Sequence, residues 1–156
     1  MMKPRLVRVL IFFGVILFTI NIFPQGMKNI AFINELADRD EVTLGHAVRF
    51  FLLTVGAKTQ SFERNIRTLN RYGIMEGITI EKDKPLSRGT LALMIARYLD
   101  LKGSLLYITF NIGRYAYRAC VAEGIMHYSG SEWDLISGGE LIEIMSIVSN
   151  VFRVKR

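Results

Sequence analysis

A single cysteine, Cys120, stands among 156 residues. One thiol cannot close an internal disulfide, so the fold rests on its apolar core alone. Cys120 lies among Tyr117, Ala119 and Val121, which marks it as a small buried hydrophobe. No helix start or basic partner is placed to activate it, which argues against a reactive thiol. Histidine is nearly as scarce, with only His46 and His127, in different parts of the chain. There is no H-E-x-x-H, no cysteine pair, no G-x-S-x-G and no phosphate-binding glycine loop. These gaps exclude the common metal, nucleophile and nucleotide chemistries. No enzyme activity, metal or cofactor is expected. Glu132, Asp134 and Glu140 do cluster, but capping accounts for Glu140 and solvation for the other two.

Acid is absent from the first 26 residues, where Lys3, Arg5 and Arg8 precede an apolar run from Val9 to Phe23. The run is shorter than the roughly 20 residues a spanning helix needs. Pro24, Gln25 and Gly26 close it. Basic flank, apolar run and breaker in this order read as an export signal. Pro24 falls where a small residue is wanted for cleavage, so an uncleaved anchor through residues 9–23 stays open beside a cleaved signal. The expected division is 1–26 as signal or anchor and 27–156 as one domain. Taking the three leader cations from the 20 basic residues leaves 17 against 14 acids, a surplus of 3. That surplus is too small to support a nucleic-acid partner.

The body of the chain repeats. Gly73-Ile74-Met75 returns as Gly124-Ile125-Met126, about fifty residues on. Leu86-Ser87-Arg88-Gly89-Thr90-Leu91 returns as Ile136-Ser137-Gly138-Gly139-Glu140-Leu141. A fixed period of this size marks stacked units. In the clearest unit, Phe62, Ile66 and Leu69 share one helical face, and Gly73 caps that helix in the left-handed region. A polar loop runs to Pro85. Ser87 caps a helix from Arg88 to Leu99, with Leu91, Met94, Ile95, Tyr98 and Leu99 as its stripe. The next unit has a helix from Arg114 to Glu123, Gly124 as its cap, and Ser137 with Glu140 as a capping box. Leu141, Ile144, Met145 and Val148 follow as a stripe. An earlier unit starts with a degenerate helix over 29–37. Thr43 then caps a helix whose inner face is Ala47, Val48, Phe51, Leu52 and Val55, ending at Gly56. The units span about 29–56, 61–101 and 112–152. Residues 102–112 link the last two as either a helical turn or a short strand. The expected class is mainly α, three stacked helix-loop-helix repeats.

This arrangement resembles the S-layer homology domain over roughly residues 38–151. The family's turn motif is matched at Gly73-Ile74-Met75 and Gly124-Ile125-Met126. Its Thr-Arg-Ala-Glu-like helix start is matched by Ser87-Arg88-Gly89-Thr90. Ser137-Gly138-Gly139-Glu140 keeps the cap and the acid without the arginine, and Thr43-Leu44-Gly45-His46 keeps the cap alone. The resemblance implies a three-lobed helical prism whose grooves bind cell-wall polysaccharide, often anionic. It implies that Arg88 contacts the acidic sugar and that Gly73 and Gly77 line the same groove.

Three sites follow. Arg88 sits in the first turn of a helix, where the dipole disfavours a cation. Beside free backbone N–H groups it could hold a carboxylate or phosphate; otherwise it is a solvated arginine. Arg64, Arg67 and Arg71 share the helix face opposite Ile66 and Leu69 and would suit an anionic polymer, lipid headgroups or an acidic protein; otherwise they form a solvated face. Arg114 and Arg118 repeat that pattern weakly. Trp133 either stacks on a sugar or fills the core beneath the capping box, and the core role is expected. The functional expectation is a non-catalytic, exported envelope protein that binds wall glycan or another anionic envelope polymer. The alternative is a periplasmic protein-interaction module that has lost glycan binding.

Overall fold

The computed structural model describes residues 23–101 and 112–154. Among these residues the fold is mainly helical, with six helices and no strand. They are α1 (Phe23–Ala37), α2 (Leu44–Thr54), α3 (Phe62–Asn70), α4 (Arg88–Tyr98), α5 (Gly113–Ala122) and α6 (Gly138–Val154). The chain divides into two compact units between Leu36 and Ala37. The expected repeat 29–56 therefore straddles that division.

α1 begins before the expected boundary. The expected breaker, Pro24, Gln25 and Gly26, lies within this helix. The expected signal or anchor, apart from these last residues and Phe23, lies outside the described residues, as does most of the 102–112 link. No helix among the described residues is long and apolar enough to cross a membrane.

The four expected core stripes of the second unit are largely as the periodicity requires. Ala47, Val48, Phe51 and Leu52 on α2 are buried, as are Leu91, Met94, Ile95 and Leu99 on α4 and after it. Tyr117 and Cys120 on α5, and Leu141, Ile144, Met145 and Val148 on α6, are also buried. Burial of each large aliphatic side chain contributes about 1.5–3 kcal/mol against exposure. α4 packs chiefly on α5, and α2 on α3 and α6. Tyr98 sits edge-on to Phe51, ring centroids 5.2 Å apart. Val55, Phe62 and Val121 are only half-buried, because each lies at a helix end where the stripe leaves the core.

Four helix ends close in the same way. The Gly124 N–H donates to Val121 O and the Ile125 N–H to Cys120 O; Gly73 and Ile74 do the same to Asn70 and Leu69. Gly56 with Ala57 and Asp100 with Leu101 complete the set. This is the double bond pattern of a Schellman end, which needs a left-handed residue. Gly73 and Gly124 both have φ of 68°. The turn then throws Ile74, Met75, Ile125 and Met126 into the core.

The helix starts are joined to one another through backbone. The Leu86 N–H donates to Val42 O at 2.9 Å, Val42 to Ile136 O at 2.9 Å, and Ile136 to Leu86 O at 3.1 Å. These three bonds form a closed ring of buried residues, each standing just before a helix. All three turns of the ring also pass loop carbonyls to a helix start, the last by a single bond from Gly138 N–H to Arg39 O at 2.8 Å. Leu44 and Gly45 donate to Lys84 O and Lys82 O, while Arg88 and Gly89 donate to Asp134 O and Glu132 O. A Cβ on Gly45 or Gly89 would lie 3.0 Å from the carbonyl oxygen of Lys82 or Glu132. Glycine is needed at both positions for that close approach.

Candidate functional site

The same joints change the expected picture of Arg88. Its backbone N–H donates to Asp134 O at 2.9 Å and the next N–H to Glu132 O at 2.8 Å. The free N–H groups anticipated for an anion are therefore occupied. The side chain, 16% exposed, turns the same way. Nε lies 2.9 Å from Glu140 Oε1, and Nη1 lies 3.9 Å from Asp134 Oδ2. Nη1 also donates to Ser129 O. The Nε–H is not aligned on the Glu140 carboxylate and has no hydrogen-bond acceptor, so that contact is an ion pair rather than a directed bond. Arg88 thus ties the start of α4 to the loop and helix start of the last repeat.

Glu140 departs from its expected role for the same reason. Its N–H does take part in the cap, donating to Ser137 Oγ at 3.2 Å. Its carboxylate goes to Arg88 instead of reaching back to complete the capping box. The full reciprocal arrangement occurs at α2, where the Thr43 N–H donates to His46 Nδ1 at 3.1 Å. At α4, Ser87 Oγ accepts from the Thr90 N–H at 3.3 Å.

Trp133 is not in the core. It is 78% exposed, beside Tyr128 at 84% and Leu135 at 41%. The loop holds it out by local bonds. Ser131 N–H donates to Asp134 Oδ2 at 2.8 Å, Trp133 N–H to Ser131 Oγ at 3.2 Å, and Asp134 N–H to Ser131 O at 3.1 Å. These bonds fix the backbone that carries the indole, while the ring itself stands in solvent. Gly130, at φ 112°, makes the bend; Asp134 Oδ2 and Arg88 Nη1 occupy the space a Cβ would take.

Two grooves meet at Trp133. One, of about 440 Å³, has Thr90, Leu93, Ile112, Arg114 and Glu132 among its walls. The other, of about 300 Å³, has Gly77, Thr79, Lys84, Thr90 and Leu93. Their sizes lie at the lower end of small-ligand sites. Ser87, Thr90, Leu93 and Trp133 are common to both, so the indole stands on the ridge between them. Arg114 Nε lies 4.0 Å from Glu132 Oε1, a loose pair on one wall. Of the residues implied by the family resemblance, Gly77 lines a groove, whereas Gly73 and Arg88 line neither. Leu93 and Lys84 carry no sequence signal, Thr90 stands out only as part of a helix start and Arg114 only as one of a weak arginine pair, because three distant segments bring the four together.

Arg64, Arg67 and Arg71 are together, on the exposed side of α3. With Gln60 and Thr68 they line a shallow groove of their own. No carboxylate pairs with any of the three among the described residues; Arg64 Nη1 donates to Gln60 Oε1 at 3.1 Å. Arg118 is exposed on α5. The start of α3 is fixed by buried Asn65, whose Oδ1 accepts from Gln60 N–H at 2.8 Å and whose Nδ2 donates to Gln60 O at 3.2 Å. The Ser61 hydroxyl and the helix-start backbone hold the Glu63 carboxyl below its usual range.

Two other groups belong to packing. Burial pushes the Cys120 thiol up to about 12, and Sγ lies 3.7 Å from Ala92 O. Burial also raises Tyr117, opposed by nearby Arg88; its hydroxyl donates to His127 O at 2.8 Å. No group of three or more metal-ligating side chains occurs among the described residues. No protein-family model matches the chain, and no curated protein matches it in sequence.

Proposed function

We propose that this is a non-catalytic protein of the cell envelope that binds wall glycan in the grooves on either side of Trp133. In this reading residues 1–26 export the chain or anchor it through residues 9–23. The repeats form three lobes related to S-layer homology units. The backbone ring through Val42, Leu86 and Ile136 supports that arrangement, since it links equivalent positions of three units. The single observation that carries the binding reading is the exposed indole between two grooves whose mainly apolar walls carry polar side chains. A flat aromatic face covers the C–H side of a pyranose ring, while its hydroxyls reach the groove walls. Arg114 and Lys84 supply the cations for an acidic sugar, the part that the family resemblance assigned to Arg88.

The test is co-sedimentation of the full-length chain, in mild detergent, with purified wall sacculi. Trp133→Ala should lose at least about tenfold in affinity, in the range of a removed aromatic anchor. Trp133→Phe should retain part of it. Tyr72→Ala, an exposed aromatic outside both grooves, serves as control. Pelleting that is unchanged in Trp133→Ala would end the groove reading. A protein-interaction module is the second reading, favoured by Tyr128, Leu135 and Ile112, which expose more apolar surface than one sugar covers. It gains if Tyr128→Ser and Trp133→Ala both abolish crosslinking to one defined envelope protein while sacculus binding is absent.

A further inference from the structure

We propose that the outer face of α3 is a second binding site, independent of the Trp133 grooves, for a linear phosphate-bearing polymer. Arg64, Arg67 and Arg71 succeed one another by three and four residues, so their guanidinium groups leave the helix along one line. At 1.5 Å of rise per residue they present a cation every 4.5–6 Å, roughly the spacing of charges along an extended polyanion. Like charges at this spacing repel one another. Glu63, one turn before Arg67, eases that repulsion only at a distance, and no carboxylate among the described residues forms a salt bridge with any of the three. The contrast with Arg88 is direct, since Arg88 has two carboxylates and a carbonyl at its guanidinium.

The shape also points to a chain-like ligand. The three arginines do not stand on a convex ridge; with Gln60 and Thr68 they line a groove. Asn65, 4% exposed, pins the helix start beneath it, so the groove is preformed at that end. Each guanidinium offers a planar fork suited to a phosphate, and the Gln60 amide supplies a further polar contact. A bilayer surface fits less well. Helices that lie in a membrane interface bury an apolar side into it, whereas Ile66 and Leu69 of α3 are turned into the protein core. Only Tyr72, at the helix end, is an exposed aromatic there.

The experiment titrates the full-length chain in mild detergent with poly(glycerol phosphate) and, separately, with phosphatidylglycerol vesicles, across a salt series. For three phosphate contacts, log K should fall against log salt with a slope of about −2, taking roughly 0.7 per contact as for flexible single-stranded polyanions. Arg64→Gln/Arg67→Gln/Arg71→Gln should weaken polymer binding at least tenfold and flatten the slope toward zero. The corresponding triple lysine variant should keep the slope and lose part of the affinity, since charge remains but the fork does not. Circular dichroism should show all variants folded, because the substituted side chains are exposed. Trp133→Ala should leave polymer binding unchanged, so this site and the groove reading fail separately. Undiminished polymer binding in the triple glutamine variant would overturn the proposal. So would binding to the vesicles alone, which would make the face a lipid-headgroup site.

Discussion

Replacing Arg88 should damage the fold before it damages any ligand site. Three interactions end together in Arg88→Ala. The ion pair to Glu140, at 2.9 Å between side chains 16% and 27% exposed, is worth about 1–2 kcal/mol, well below the 3–5 kcal/mol of a fully buried pair. The charged hydrogen bond to Ser129 O adds about 1.5 kcal/mol. The contact to Asp134, at 3.9 Å and with the acid half exposed, adds at most about 0.5 kcal/mol. The total is about 3 kcal/mol, or roughly a 6–12 °C fall in melting temperature for a domain of this size. Urea unfolding of the full-length chain reads the loss directly. A double-mutant cycle with Glu140→Gln isolates the pair, and its coupling should be about 1–2 kcal/mol. Arg88→Lys should recover only part of the stability, because one ammonium cannot reach all three oxygens. If Arg88→Ala lowered stability by less than about 0.5 kcal/mol with no coupling to Glu140, the clamp would be wrong. The guanidinium would then be free for a ligand.

Other outcomes follow from single close contacts and buried groups. Gly89→Ala should destabilise by about 1–3 kcal/mol in chemical denaturation, because its Cβ meets the Glu132 carbonyl at 3.0 Å and its side chain at 3.2 Å. Gly139→Ala, at the matching step of the last repeat, has nothing within 4 Å and should be neutral or stabilising by up to about 1 kcal/mol. Gly124→Ala should lower stability by about 1–2 kcal/mol from backbone strain alone, since φ is 68° and the space beside it is open. Burial raises Cys120 from 9.0 to about 12, so the unfolded chain loses this proton first as the pH rises. Stability should be intact from this group below pH 9 and fall between pH 9 and 12 by on the order of 1 kcal/mol per pH unit. A Cys120→Ala variant should lack that component of the alkaline slope.

Features decided within one repeat could be read from the chain. Gly73 and Gly124 announce left-handed ends because each follows a periodic helix and precedes an apolar pair. Ser87 announces a cap because Pro85 ends the loop before it. Features decided between repeats could not. Glu140 looked like the second half of a local capping box, and only folding brings Arg88 close enough to compete for its carboxylate. The N–H groups of Arg88 and Gly89 looked free because their acceptors, Asp134 and Glu132, lie more than forty residues away in sequence. Trp133 was expected inside on the general habit of tryptophan. The turn Ser131–Asp134 satisfies its polar groups through its own bonds and the start of α4, and leaves the ring outside.

The arginines of this chain show why a motif residue and a binding residue need not coincide. A guanidinium is available to a ligand only if its hydrogen-bonding directions and charge are not already committed. Arg88 occupies the position that the motif would assign to sugar, yet its partners are the chain's own Glu140, Asp134 and Ser129. Displacing them would leave the partly buried Glu140 carboxylate without its cation, a costly exchange. Arg64, Arg67 and Arg71 belong to no motif, but an anion reaching them displaces chiefly water and one amide contact. Trp133 differs in the same way from the aromatic residues of the core, because its loop is held by its own bonds and needs nothing from the ring. Affinity for an outside partner therefore should track the residues whose removal leaves folding intact. Stability measured beside binding for Arg88, Trp133 and the α3 arginines separates the two roles without knowledge of the natural ligand.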